Sequence, residues 1–125
     1  MHRSRLSARL VCAFVIVAAA CAVAGAGLAS TSRHAAATVT VTASETEYKI
    51  KLSPPSVKPG AVTFNVVNKG KVPHDFLING KKTAVLAAGK SAKLTVTLKA
   101  GKYPYKCTVD SHAQLGMKGT LTVTM

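Results

Sequence analysis

Residues 38–52 read TVTVTASETEYKIKL, with apolar side chains at every second position: Val39, Val41 and Ala43, then Tyr48, Ile50 and Leu52. Successive side chains of an extended backbone point to opposite faces, so a period of two describes strands with one buried face. The alternation returns in VTFNVV (62–67), KLTVTL (93–98) and GTLTVT (119–124), and helical spacing is sustained nowhere. Gly- and Pro-rich punctuation separates the runs at SPPSVKPG (53–60), NKGKVP (68–73), NGKK (79–82), AAGKS (87–91) and KAGKYP (99–104). Strands that recur about every ten residues with turn chemistry between them predict an all-β sandwich or barrel. The expected core is largely aliphatic: Val39, Val41, Tyr48, Ile50, Leu52, Val62, Phe64, Val66, Phe76, Ile78, Leu94, Val96, Leu98, Leu121 and Val123.

The chain has 125 residues, the length of one domain. Its first residues, MHRSRLSAR, are basic, and they are followed by the apolar run LVCAFVIVAAACAVAG and by small residues around AGAGLAS. That layout predicts a signal peptide over residues 1–29, with a retained anchor or a lipidated Cys21 as the other ways of reading it. Residues 30–37 lack an apolar period and form a short linker, which leaves a domain over 38–125. Loss of the leader removes Cys12 and Cys21, so Cys107 is the one thiol of an exported domain. Such a thiol is paired between chains, reactive or bound to something.

From Ser30 onward the fourteen Lys and Arg face four acids. This balance suits an acidic or membrane-bound protein partner and a fast, salt-sensitive encounter. Nucleic acid is an unsuitable partner for an exported chain, and the lysines are spread along the sequence as on solvated sheet faces. A monomer is expected.

In YPYKCTVDSHAQLGMKG (103–119), Cys107, His112 and Met117 stand five residues apart, and His74 lies upstream in KVPHDFLING. A thiolate, two imidazoles and a thioether are the ligand set of a type 1 copper ion, with His74, Cys107 and His112 in a plane and Met117 as a distant axial donor. A loop of four residues on each side of His112 can gather three side chains about one point while a stiff sheet holds its ends.

The string Y-x-C-x4-H-x4-M, followed by K-G-x-L-x-V and preceded by PHDF, resembles the cupredoxins, the blue-copper proteins related to plastocyanin and rusticyanin. The resemblance covers about residues 38–125. It implies a Greek-key β-sandwich with one copper at one end, bound by His74, Cys107, His112 and Met117. It also implies electron passage through the edge of His112, inside a rim of Ala113, Leu115, Gly116 and Pro73, with Tyr105 packed as a shield. Where many members of the family carry Asn after the first histidine, this chain has Asp75, whose carboxylate can accept amide hydrogen bonds near Thr108 and favour the oxidised metal. The expected function is one-electron transfer between exported redox partners. Extracytoplasmic copper delivery is the second reading, and no enzymatic activity is expected, because the two histidines of the domain are already committed.

Overall fold

A computed structural model of the chain describes residues 37–125. The expected leader, and all of the linker but Ala37, lie outside the described residues. Within them the chain forms nine strands and no helix. These are β1 (Val39–Thr46), β2 (Lys49–Ser53), β3 (Ser56–Val57), β4 (Gly60–Asn68), β5 (Leu77–Ile78), β6 (Lys81–Lys82), β7 (Ser91–Leu98), β8 (Gly101–Lys106) and β9 (Lys118–Val123).

Two sheets result, ordered β2-β1-β4-β7 and β3-β9-β8-β5-β6. β1 runs parallel to β4, with Val41 opposite Phe64, and antiparallel to β2. β8 and β9 are antiparallel, with Tyr105 opposite Gly119 and Lys106 opposite Lys118. The inward faces of both sheets share one apolar cluster, which includes Val41, Val62, Phe64 and Leu98 from the first and Ile78, Tyr105, Leu121 and Val123 from the second. Phe64 and Phe76 meet across the interior at 5.1 Å between ring centres. Each large apolar side chain buried in this way contributes roughly 1.5–3 kcal/mol, so the alternation read in the sequence is what holds the two layers together.

Three residues of the expected core are not fully buried. Tyr48 is 40% exposed, because Thr46 pairs with Lys49 and leaves Glu47 and Tyr48 as the two residues of a turn, off the pleat that sets the face of Ile50 and Leu52. Val39 opens β1 and Leu94 lies on the edge strand β7, and both are only partly covered. The short strands β5 and β6 are joined at Asn79-Gly80, where both residues have positive φ (47° and 73°). That conformation defines the two-residue hairpin turn for which Asn-Gly is the preferred sequence.

Glu45 follows the parity of Val41 and Ala43 and points inward. It is fully buried, and neither carboxylate oxygen has a hydrogen-bond partner. Burial, reinforced by the negative charge of Asp75, raises its pKa from 4.5 to about 7. A folded-state pKa above the unfolded one means that the neutral acid stabilises the fold below pH 4.5 and that this advantage is lost as pH rises through about 7. Relative to the wild type, Glu45→Gln is therefore expected to gain stability between pH 4.5 and 8, reaching ~3 kcal/mol at the upper end by the linkage relation. Parallel denaturant titrations across that range check it; a constant difference between the two proteins contradicts the assignment.

Candidate metal centre

Four segments converge at one end of the sandwich. His74 lies between β4 and β5 and is fixed by a two-way backbone bridge: its N–H donates to the Leu86 carbonyl at 3.0 Å, and the Leu86 N–H donates to the His74 carbonyl at 2.7 Å. Cys107 follows directly on β8, and its N–H donates to the carbonyl of Met117 at 3.0 Å. The loop between β8 and β9 closes on itself, the N–H groups of Leu115 and Met117 both donating to the His112 carbonyl at 3.1 Å.

The side chains of His74, Cys107 and His112 are all buried, and one donor atom from each lies within 4.8 Å of the other two. Nδ1 of His74 is 3.2 Å from Nδ1 of His112, and Sγ of Cys107 is 3.7 Å from the latter. The thiol is free. Burial lowers the pKa of His74, helped by the charge His112 would carry, and burial raises the pKa of Cys107. A neutral imidazole is the form that ligates, and a buried thiol gives up its proton when a cation replaces it. Met117 is fully buried at the end of the same loop.

Asp75 is buried beside His74 and ties the His74 segment to the Cys107 segment. Its N–H donates to Sγ of Cys107 at 3.5 Å, while its carboxylate accepts the Thr108 N–H and hydroxyl. Nζ of Lys82 stands 3.6 Å from Oδ2 and offsets part of the charge. The amide contact expected near Thr108 is therefore present, with a second bond to the hydroxyl. Tyr105 packs inward at 5.6 Å from the ring of Phe76, in keeping with a shielding role.

The turn between β1 and β2 was not read in the sequence as part of this site, yet it touches both histidines. The ring of Tyr48 meets His112 edge-on at 5.0 Å. Oε1 of Glu47 lies 3.6 Å from Nε2 of His74 and accepts the N–H groups of Lys71 and Val72. These backbone bonds, that of Val72 first, bring the pKa of Glu47 down to about 2. Only the pairing Thr46–Lys49 reveals this turn, and no periodicity in the sequence carries it. Tyr48 and Leu115 are both exposed, and both lie next to His112, Tyr48 by its ring and Leu115 by its N–H, which donates to the His112 carbonyl.

Two imidazole nitrogens and a thiol sulfur, converging in a dry interior and lacking any other strong partner among the described residues, fit a single type 1 copper ion. Comparisons with known proteins agree. Among curated proteins none matches the chain. Of the solved structures, auracyanin B is 27% identical over 70% of this chain and 88% of its own, with a TM-score of 0.57. Rusticyanin from Thiobacillus ferrooxidans is 25% identical over 70% of this chain and 77% of its own, at 0.53. Auracyanin A, a "blue" copper protein from the green thermophilic photosynthetic bacterium Chloroflexus aurantiacus, shares the fold at 21% identity and 0.56, over 70% of this chain and 100% of its own. The family model described as a cupredoxin-like domain matches residues 11–123. On that match the chain belongs to the cupredoxin-like domain family.

Proposed function

We propose that the protein carries single electrons between exported protein partners by way of one copper ion bound by His74, Cys107, His112 and Met117. The observation that carries this reading is the buried convergence of the Cys107 sulfur and one ring nitrogen from each of His74 and His112 within 4.8 Å. Copper held by such a set supplies a one-electron couple whose two states prefer different geometries, so a fixed intermediate arrangement keeps reorganisation small.

The chain's own residues provide the fixity. The His74–Leu86 bridge and the Cys107–Met117 backbone bond set the spacing of the donors before any ion arrives. Asp75 orients the sulfur through its N–H and clamps Thr108 through its carboxylate. His112 is the least enclosed of the proposed ligands and lies beside the exposed Tyr48 and Leu115, which supports an apolar contact through which a partner reaches the ring. The enclosure of His74, Cys107 and Met117 favours electron transfer over copper delivery, since exchange of the ion requires an opening to the donors. Auracyanin A, described as a "blue" copper protein, has the same fold, and an extracytoplasmic location accords with the leader expected over residues 1–29.

Addition of a cupric salt to the purified protein is expected to give an intense blue or green colour and an electron paramagnetic resonance spectrum with unusually narrow copper hyperfine splitting. Cys107→Ser should abolish both and weaken binding by at least the 10–100-fold typical of lost ligand support; a colourless wild type contradicts the copper reading. Met117→Leu removes a weak sulfur donor and should raise the reduction potential while the ion stays bound. An unchanged potential there argues against sulfur ligation. Asp75→Asn removes a buried negative charge that Lys82 only partly offsets and should also raise the potential, as a redox titration of the two proteins side by side will test.

A further inference from the structure

His74 presents Nδ1 to His112, which leaves Nε2 as its second polar atom. Nε2 is buried and has no hydrogen-bond partner. The group that faces it is Oε1 of Glu47, at 3.6 Å. Glu47 is not there by accident of a mobile surface chain. The same oxygen accepts from the Lys71 and Val72 N–H groups, so the carboxylate is held by the turn that leads into His74. A Cβ on Gly70 would run into that oxygen, so only a residue without a side chain leaves room for the carboxylate. From the inner side, Asn68 fastens the same turn, donating to the carbonyls of Val72 and Leu86 at 2.8 Å each and accepting the Gly70 N–H at 2.9 Å. Glu47, Gly70 and Asn68 therefore form one support whose product is an anionic acceptor in front of a histidine nitrogen.

We propose that Glu47 is a positioning residue for the copper site, holding His74 in the tautomer with the proton on Nε2 and lending the imidazole negative charge that favours the oxidised ion. An imidazole whose Nδ1 binds a cation has a more acidic Nε2–H, so the 3.6 Å approach closes toward a hydrogen bond when the site is in use. The carboxylate then fixes the ring plane and raises its donor strength, as carboxylate partners of ligating histidines do. The proposal rests on the copper reading for its electronic part and stands apart from it for the tautomer.

Two variants of the full chain separate charge from geometry. Glu47→Gln keeps an oxygen for the Lys71, Val72 and His74 N–H groups and removes only the charge; Glu47→Ala removes both. In the metal-free protein, nitrogen-15 NMR of His74 is expected to show the Nε2–H tautomer with slowed proton exchange, retained in Glu47→Gln and lost in Glu47→Ala. In the copper-loaded protein, Glu47→Gln should shift the ratio of cuprous to cupric affinity upward about tenfold, equivalent to ~59 mV for one electron, with the narrow hyperfine pattern preserved. Glu47→Ala should shift it at least as far and broaden that pattern. Unchanged exchange and unchanged potential in both variants overturn the proposal and leave Glu47 as a clamp for the turn alone. A wild type that takes up no copper overturns the electronic part together with the copper reading, while the NMR comparison still decides whether Glu47 holds the ring.

Discussion

The structure of the metal end depends on one short closure. The backbone bond from Cys107 N–H to the Met117 carbonyl continues the β8–β9 ladder beyond Lys106–Lys118 and forces the nine residues between them into a compact loop. Two further bonds onto the His112 carbonyl pull the middle of that loop over the sandwich. Because β8 and β9 are packed into the apolar cluster through Tyr105, Leu121 and Val123, the ends of the loop cannot separate without opening the core. Donor spacing is thus set by the sheet register, and the cost of gathering three polar side chains in a dry place is met by folding rather than by the ion.

The same closure explains which parts of the molecule could be read from sequence. Cys107, His112 and Met117 could be singled out because their spacing along the chain is the spacing of one closed loop, and the structure brings His74, the one further histidine of the domain, up to Cys107 and His112. The long strands were legible because eight or nine residues give several repeats of a period of two. β3, β5 and β6 have two residues each, too few for any period to show, and they exist only because a neighbouring strand offers its edge. β8 was hidden by Pro104 inside KAGKYP. Of the β8 residues, β5 pairs with Tyr105 and Lys106 alone, so at Pro104 the strand has a ladder neighbour on one side only, where the missing N–H is tolerated. Glu47 and Tyr48 escaped for a different reason. Their contacts with His74 and His112 link residues that are distant in sequence, and the alternation that made Tyr48 look like core runs unbroken through a turn that the backbone in fact makes there.

Charge follows a division that sequence counting alone does not display. The chain has 17 Lys and Arg and four acids, and all four acids stand at the metal end. Glu45 lies near the end of β1 and feels the charge of Asp75, Glu47 faces His74, Asp75 follows His74, and Asp110 lies in the loop between β8 and β9. A strongly cationic protein disfavours the more highly charged state of any ion it binds, and the magnitude of that effect depends on screening. Exposed lysines act through solvent, where their influence fades over roughly 8 Å at physiological ionic strength. A buried carboxylate such as Asp75 acts through protein, where each charge is felt more strongly at the same distance. The local acids therefore govern the field at the donors while the distributed lysines govern the approach of a partner. The two sets can differ in sign without cancelling, because they act over different distances and through different media. On the proposed copper reading, this separation would leave encounter with a partner to the distributed lysines and the balance between oxidation states to the carboxylates held near His74, His112 and Cys107.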